Sequence, residues 1–268
     1  MFKRLLSGRK ETPAPIPPVS APATTASAAA GEAAMPPGAL IDCAGIDWNP
    51  DEQLAFVRDV LPEHAASGAQ AWKHAGGASA SADLLDAAVL HAMVTRHEPT
   101  RIMQVGCGAT THVIRAALAA KNLPGELIAI DPSPSTDISE VVDAPLLCPV
   151  QEIPRSDFEM LRDGEMLILD LTHIIVPGGE VLYLYQHILP HLNPNVIVGV
   201  RGTSLPNDYS EEQRRAGWTE QALLQLYLTG NSGAAVLFAG GWIARHHAEE
   251  TASLADGAAS TWLWFRTK

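Results

Sequence analysis

A glycine turn between an apolar strand and a helix constrains the fold of this chain more than any other feature. The sequence Arg-Ile-Met-Gln-Val-Gly-Cys-Gly at 101–108 predicts a short strand that runs into the turn, and a helix is predicted over 111–121. Gly106 and Gly108 allow the backbone to approach a ligand closely. The free N–H groups at the start of the helix suit a polar or negatively charged ligand group. A turn with a purely structural role would give the same pattern, so the glycines alone do not define a function.

Asp131 adds a carboxylate to this pattern at the end of the next predicted strand, 126–131. It follows Gly108 by 23 residues, a position at which a carboxylate can accept hydrogen bonds from both hydroxyls of a ribose. An aspartate in a surface loop before Pro132 is the simpler alternative. Together the glycine turn and Asp131 indicate a nucleoside-containing cofactor, and they do not separate NAD from S-adenosylmethionine.

An NAD-dependent oxidoreductase is nevertheless the weaker hypothesis. The dinucleotide-binding pattern Gly-x-Gly-x-x-Gly lacks its third glycine, because position 111 is threonine. The sequence also contains no Tyr-x-x-x-Lys element.

Strands alternate with helices along the rest of the chain. Further strands are predicted at 146–150, 165–170, 195–200, 234–243 and 261–266, and further helices at 84–95, 181–192 and 219–228. This alternation predicts an α/β fold with a mainly parallel sheet. Ligands of such sheets bind at the carboxyl ends of the strands, which places Asp170 beside the glycine turn and Asp131.

Residues 1–40 differ in composition from the rest of the chain. The first ten residues carry four basic side chains and no acid, and residues 11–40 hold seven of the 20 prolines and ten alanines. Proline removes backbone donors, and the segment has no aromatic residue to bury, so we predict a disordered leader. The basic end is interpreted as a solvated terminus, with a targeting peptide or a weak membrane-surface anchor as the alternatives.

The formal net charge of −12 is distributed unevenly. Residues 1–40 hold four basic and two acidic residues, which leaves 14 basic and 28 acidic residues, a net charge of −14, in the remainder. This surplus repels a phosphate backbone and argues against a nucleic-acid partner. The longest uncharged apolar run, 234–244, is well short of the ~20 residues of a membrane helix, so no transmembrane segment is predicted.

The three cysteines, Cys43, Cys107 and Cys148, are widely spaced and form no Cys-x-x-Cys pair. This argues against a cysteine zinc site and against a disulfide scaffold. A reducing cytoplasm is the simplest localisation.

Several stretches in a fixed order resemble one protein family. Ile-Met-Gln-Val-Gly-Cys-Gly-Ala-Thr-Thr at 102–111, followed by Ala-Ile-Asp-Pro at 129–132, is similar to the cofactor half of class I S-adenosylmethionine-dependent methyltransferases. Residues 167–225 are similar to a bacterial methyltransferase subgroup with Asp-Ser-Ser-His, Ile-Leu-Pro-x-Leu-x-Pro and Trp-x-Glu-x-x-Leu-Leu-Gln elements in this order. The stretches 236–247 and 260–266 fit the terminal strand pair of the subgroup. The resemblance covers about residues 83–268, and residues 41–82 would form a helical extension that either packs on this domain or acts as a lid.

The resemblance implies a Rossmann-like, seven-stranded, mainly parallel sheet with an antiparallel terminal strand and helices on both faces. It also implies S-adenosylmethionine as the cofactor. The Gly106–Gly108 turn would lie against its methionine part, Asp131 would bind its ribose, and the two residues after the third strand would approach its adenine. The implied cofactor-binding residues are Gln104, Gly106, Gly108, Asp131, Gln151, Glu152 and Asp170.

The implied catalytic residues are His173 and Asp170, which would lie beside the transferable methyl group. His173 would be the general base, since its unperturbed pKa is about 6.5. A structural histidine that holds a loop is an equal alternative. The sequence here reads Asp-Leu-Thr-His at 170–173, so one hydroxyl of the subgroup element is lost.

Two further departures from the family bear on the site. Gln104 stands where the family usually has glutamate, so it lacks the charge that pairs with the amino group of the cofactor. After the fifth strand, Gly-Val-Arg-Gly at 199–202 replaces His-x-His-Asp, which argues against a divalent metal site. Arg201 would instead bind an anionic group of the substrate or, as we favour, pair with Asp170.

The sequence therefore predicts methyl transfer to an oxygen or nitrogen of a small-molecule or glycan-type acceptor. The alternative is a catalytically degenerate methyltransferase-like protein that serves as a binding or assembly module. The leader at 1–40 would then suit tethering to a protein partner.

Overall fold

Seven strands form one twisted sheet in the computed structural model, which describes residues 36–231 and 233–268. The strands are β1 (Arg101–Val105), β2 (Glu126–Ile130), β3 (Ala144–Leu146), β4 (Met166–Leu169), β5 (Ile197–Val200), β6 (Ala235–Ala239) and β7 (Leu263–Arg266). Their order is β3-β2-β1-β4-β5-β7-β6. Only β7 runs antiparallel to its neighbours, β5 and β6, within this sheet. The prediction of a Rossmann-like, mainly parallel seven-stranded sheet with an antiparallel terminal strand is confirmed.

The central strands are buried along their whole length. All four residues of β4 and all four of β5 are buried, as expected for parallel strands covered by helices on both faces. Their near-continuous apolar sequences, Met-Leu-Ile-Leu and Ile-Val-Gly-Val, are what such burial requires. The core of the protein therefore lies on either side of β1, β4 and β5.

Ten α-helices surround the sheet in the part of the chain that the structure describes. They are α1 (Pro50–Ala55), α2 (Leu61–His74), α3 (Ser81–His97), α4 (Ala109–Ala120), α5 (Arg155–Phe158), α6 (Glu180–Tyr183), α7 (Glu211–Arg215), α8 (Glu220–Gly230), α9 (Gly240–His246) and α10 (Ala248–Ala255). A π-helical turn, Phe56–Val60, joins α1 to α2. A second one, Leu184–Ile188, and a 3₁₀ turn, Leu189–His191, continue α6.

The helices before β1 pack tightly against the rest of the fold. A Cβ atom on Gly68 of α2 would lie 2.5 Å from the carbonyl oxygen of Ala87 in α3, so glycine is needed at this crossing. Phe56 is buried and contacts Phe238 of β6 edge-on, with ring centroids 5.4 Å apart. Residues 50–74 thus contribute directly to the core.

Several predicted elements differ in their bounds from the observed ones. The strand predicted at 146–150 is β3, Ala144–Leu146, and a 3₁₀ turn begins at Val150. The helix predicted over 111–121 begins two residues earlier, at Ala109. The strand predicted over 234–243 ends at Ala239, where α9 begins, because an uncharged apolar run fits a buried strand and a buried helix equally well.

The predictions for residues 1–35 lie outside the described residues. Within the described ranges, every helix is too short or too polar to cross a lipid bilayer.

Candidate functional site

The carboxyl ends of four neighbouring strands lie at one level of the sheet. Val105 of β1 pairs with Ile130 of β2 and with Leu169 of β4, and Leu169 pairs in turn with Val200 of β5. The residue after each strand therefore reaches the same edge. These four residues are Gly106, Asp131, Asp170 and Arg201.

A cavity of about 460 Å³ opens at this edge. It is lined by Trp72, Val105, Gly106, Cys107, Gly108, Ala109, Thr110, Ile130, Asp131, Pro132, Ser133, Ser135, Val150, Asp170, Leu171, Thr172, Glu180 and Arg201. The volume falls in the ~300–1,000 Å³ range of small-molecule and cofactor sites. Of the residues predicted to form the site, the structure brings together Gly106, Gly108, Asp131, Asp170 and Arg201 at this cavity.

Glycine is required at both positions of the turn. Gly106 has a φ of 79°, and a Cβ atom there would lie 1.9 Å from the carbonyl oxygen of Asp170. A Cβ atom on Gly108 would lie 2.1 Å from Oγ of Ser135. The turn therefore packs directly on Asp170, just after β4, and on Ser135, in the loop after β2. The wall of the cavity at the turn is main chain.

Asp131 is held by main-chain N–H groups at the floor of the cavity. Its Oδ2 accepts a hydrogen bond from Cys107 N at 2.7 Å, and its Oδ1 accepts one from Ser133 N at 2.7 Å. Each carboxylate oxygen has two lone pairs, so both can accept a further hydrogen bond from a ligand. Burial, together with the nearby Asp131, raises the pKa of the Cys107 thiol to about 12, which makes this cysteine unreactive.

Gln104 lies beneath the turn and is fully buried. Its Nε2 donates to the carbonyl oxygen of Gly106 at 2.9 Å and to Oγ1 of Thr110 at 2.8 Å. Thr110 in turn donates to Oδ2 of Asp170 at 3.1 Å. Gln104 is not among the residues that line the cavity, and its Oε1 is buried with no hydrogen-bond partner in the described structure.

Arg201 is surrounded by three carboxylates. It donates from Nη2 to Asp83 at 3.0 Å, from Nε to Asp86 at 3.2 Å and from Nη1 to Asp170 at 3.4 Å. The guanidinium also lies over the ring of Trp72, 5.1 Å from its centroid. Burial lowers the pKa of Arg201, but Asp170 and Asp86 outweigh burial and raise it above its ordinary value. The favoured pairing of Arg201 with Asp170 is thus observed, with two further partners.

Asp86 connects this cluster to the start of β7. It is almost fully buried and accepts hydrogen bonds from the hydroxyls of Ser260 and Thr261, both at 2.6 Å, and from Thr261 N at 2.7 Å. The carbonyl oxygen of Asp86 accepts from Nε1 of Trp262. One buried side chain therefore fixes α3, Arg201 and the last strand relative to one another.

The structure does not bring His173 into the cavity. Its side chain is buried, its Nδ1 lies 2.8 Å from Oε2 of Glu220, and its ring packs against the Trp218 ring at a tilt of 48°, with the centroids 4.1 Å apart. A Cβ atom on Gly202 would lie 2.3 Å from its Cε1, so the ring also packs on the chain after β5. Burial raises the pKa of Glu220, although the His173 hydrogen bond opposes this.

Gln151 and Glu152 also lie outside the cavity lining. Both are exposed, on the 3₁₀ turn Val150–Glu152, and Nε2 of Gln151 donates to the carbonyl oxygen of Gly178 at 3.0 Å. Val150, one residue earlier, does line the cavity.

Several residues of the site were missed by the sequence reasoning. They are Asp83, Asp86, Thr110 and Glu180. Asp83 and Asp86 are three residues apart on a helix and therefore share a face, a spacing that is visible in the sequence. Their partner, Arg201, lies more than 100 residues away in the chain, so the pairing itself is not visible in the sequence.

The fold and the cavity define a Rossmann-like α/β domain with a cavity at the carboxyl edge of its sheet. No protein-family model matches the sequence, and no curated protein matches it significantly. Among solved structures, the chain is similar to the O-methyltransferase TomG from Streptomyces achromogenes, crystallised with S-adenosylmethionine, at 14% identity and a TM-score of 0.46, over 77% of this chain and 90% of that one.

Two other solved structures are similar at the same level. An O-methyltransferase from Bacillus cereus, in complex with S-adenosylhomocysteine, has 11% identity and a TM-score of 0.42 over 80% of this chain and 91% of that one. The plantazolicin methyltransferase BpumL, also with S-adenosylhomocysteine, has 14% identity and a TM-score of 0.41 over 80% of this chain and 99% of that one. The fold assignment rests on the strand order and directions given above.

Proposed function

We propose that this protein is an S-adenosylmethionine-dependent methyltransferase that acts on an oxygen or nitrogen of a small-molecule acceptor. The observation that carries the proposal is the position of Asp131, whose carboxylate faces the cavity at the end of β2, next to the Gly106–Gly108 turn. A carboxylate there can accept both hydroxyls of a ribose. The order of sequence elements that resemble the class I family supports the same conclusion.

The charge of the cavity favours this cofactor over a dinucleotide. In the described lining, three carboxylates, Asp131, Asp170 and Glu180, stand against the single cation of Arg201. S-adenosylmethionine carries a sulfonium and an ammonium and has a net positive charge, whereas the pyrophosphate of NAD is negative. Like charges in a partly enclosed site repel each other, so the acidic lining opposes the pyrophosphate.

The remaining residues of the turn fit the cofactor in shape. The turn at Gly106 and Gly108 presents main chain rather than side chains to the cavity, and the cavity volume suits a ligand of this size. We propose that Gln104 acts on the cofactor indirectly, by holding the Gly106 carbonyl and Thr110, because its own side chain is buried below the turn.

When bound, the cofactor supplies an electrophilic methyl group on a sulfonium. The protein would contribute position and proton transfer. Asp170, fixed by Thr110 and Arg201 at the cavity wall, would orient the acceptor and take its proton. His173 is not assigned this role, because its ring is buried against Trp218; it would instead position the loop after β4.

A second candidate function is a non-catalytic binding module with the same fold. The observation that favours it is the displacement of His173, the predicted general base, from the cavity lining. The two functions differ in one measurement. Release of S-adenosylhomocysteine with a broad panel of alcohols, phenols and amines identifies an enzyme, and saturable cofactor binding without any such release identifies a binding module.

Calorimetric titration with S-adenosylmethionine and S-adenosylhomocysteine tests the cofactor. We expect saturable binding of both, weakened about 10- to 100-fold by Asp131→Asn, because a hydrogen bond to a charged group is worth about 1.5–3 kcal/mol. Asp163→Asn is the matched control, since Asp163 is an exposed carboxylate near the opposite end of β4. An absence of binding at millimolar ligand by the folded protein contradicts the proposal, as does equal weakening by the two variants.

A further inference from the structure

The loop 171–179, named the rim loop here, connects β4 to α6 at the mouth of the cavity. Leu171 and Thr172 at its start and Glu180 just after its end line the cavity. The rim loop therefore begins and ends at the space in which a second substrate would meet the cofactor, although the His173 ring within it turns away toward Glu220. This inference rests on the proposed function and concerns the kind of acceptor that the rim loop admits.

Hydrogen bonds hold the rim loop in one conformation. His173 has a φ of 63°, and its carbonyl oxygen accepts from the N–H groups of Thr219 and Glu220 at 2.8 and 3.1 Å. Ile175 N donates to Oγ1 of Thr219, and Thr172 N donates to Oε1 of Glu180. The side chains that the loop exposes are thus held in place before any ligand arrives.

The rim loop exposes large apolar side chains between its two cavity-lining ends. Ile174 is 37% and Val176 47% exposed, and Pro177 between Val176 and the glycines is exposed as well. Within the described residues, the exposed large hydrophobic side chains are Leu40, Leu147, Ile174, Val176 and Leu226. Two of these five, Ile174 and Val176, lie two residues apart in the loop whose ends line the cavity. Such clustering of apolar surface marks an interaction site more often than single exposed residues do.

Among the described residues, the cavity offers no free positive charge to an anionic acceptor. Arg201 is the one basic residue in the described lining, and its guanidinium is already occupied by Asp83, Asp86 and Asp170. Glu180 adds another carboxylate directly after the rim loop. A carboxylate, phosphate or sulfonate on the acceptor would therefore enter a net negative environment, which is unfavourable.

From these observations we propose that the acceptor is an uncharged molecule with an apolar body and a hydroxyl group. Its apolar body rests on Ile174 and Val176, and its hydroxyl points into the cavity toward Asp170. Arg201 is a positioning residue that holds the carboxylates in place and makes no contact with the acceptor. The rim loop thus selects by apolar contact, and the acidic lining selects by repulsion of anions.

Three matched probes test this selectivity by direct titration, with and without saturating S-adenosylhomocysteine. 1-Naphthol is apolar and uncharged, 4-hydroxynaphthalene-1-sulfonate has the same ring system with a fixed negative charge, and methyl α-glucopyranoside is uncharged and polar. We expect saturable binding of 1-naphthol and at least tenfold weaker binding of the other two. Equal or tighter binding of the sulfonate or of the glucoside overturns the proposal, as does an absence of 1-naphthol binding when S-adenosylhomocysteine binds.

Substitutions in the rim loop test where 1-naphthol binds. Ile174→Ser combined with Val176→Ser removes exposed apolar surface and is expected to weaken 1-naphthol binding about fivefold or more. Leu226→Ser is the control, because Leu226 is 63% exposed on α8 and is not part of the cavity lining. Equal loss in the control, or no loss in the double variant, overturns the proposal.

Binding of S-adenosylhomocysteine separates this inference from the proposed function. Both variants should retain wild-type affinity for S-adenosylhomocysteine, because neither changes a residue of the turn or Asp131. If the folded wild-type protein binds no S-adenosylhomocysteine, the proposed function fails, whereas selective 1-naphthol binding in its absence would still support an apolar ligand at the rim loop.

Discussion

The guanidinium of Arg201 and the buried carboxylate of Asp86 form a hydrogen bond that connects the candidate site to the last strand, β7. Nε of Arg201 donates to Oδ2 of Asp86 at 3.2 Å, and the same carboxylate accepts three hydrogen bonds from Ser260 and Thr261. Arg201 also reaches Asp83, which is more exposed and makes this single ion pair within the described part of the chain. The two aspartates therefore share one cation but differ in burial.

Asp86→Ala is expected to lower the free energy of unfolding by about 4 kcal/mol, because it leaves a buried cation and several buried donors without their acceptor. Asp83→Ala is expected to lower it by less than about 1 kcal/mol, since a partly exposed ion pair contributes little. Urea denaturation of both variants measures the difference. Equal losses would show that Asp86 is not the organising residue of this cluster.

Gly106→Ala is expected to lower the free energy of unfolding by far more than the strain of a left-handed backbone conformation alone. Gly164, which also has a positive φ, 76°, has open space around its Cβ position, whereas the Cβ position of Gly106 lies 1.9 Å from the Asp170 carbonyl oxygen. Gly164→Ala should lower the free energy of unfolding by about 1 kcal/mol, the strain of the left-handed region. Gly106→Ala should exceed this clearly and abolish S-adenosylhomocysteine binding. Denaturation and titration check both results, and similar behaviour of the two variants would contradict the packing of the turn on β4.

His173→Ala is expected to act on stability rather than on cofactor affinity. The variant loses the hydrogen bond to Glu220 and the contact with Trp218, and it leaves Glu220 buried without this partner. The expected loss in the free energy of unfolding is about 2–3 kcal/mol. S-adenosylhomocysteine affinity should stay within about threefold of wild type at a temperature where the variant is folded. A stable variant that has lost turnover entirely would instead indicate that His173 is the general base.

The stability of the protein is expected to fall with pH below about 6.5, partly because of His91. Burial lowers the pKa of His91 to about 4, and the nearby His64 ring adds to this effect. Between pH 6.5 and 4 the unfolded chain binds a proton that the folded protein excludes, so folding weakens as the pH falls and is unaffected above that window. The full contribution is up to about 3 kcal/mol.

His91→Phe tests this pH dependence, because it removes the titrating ring nitrogens and keeps an aromatic side chain. We expect the slope of the unfolding free energy between pH 6.5 and 4 to become shallower. His97, whose pKa burial also lowers to about 4, should retain its own share of the slope. His191→Phe, at an exposed position, is the control and should leave the slope unchanged. An unchanged slope in His91→Phe would show that His91 does not titrate in this window.

The strands and the strand-end carboxylates could be predicted from sequence, because both depend on local order. Asp131 and Asp170 directly follow apolar runs, and parallel strands bring such positions to one edge. The environment of Arg201 could not be predicted, because Asp83 and Asp86 reach it only through the packing of α3 against the strand ends. The orientation of His173 could not be predicted for the same reason, because its partner Glu220 belongs to α8. Sequence alone does not tell which way a side chain in a loop turns.

The position of β7 has a consequence for how this protein is made. β7 follows all the other strands in sequence, yet it lies between β5 and β6, so β6 is connected to the sheet only through β7. During synthesis, β6 leaves the ribosome before the strand that it must pair with exists. The edge of β6 that faces β7 must remain unpaired until residues 263–266 are available, which exposes β6 to aggregation in nascent chains and in chains truncated before β7.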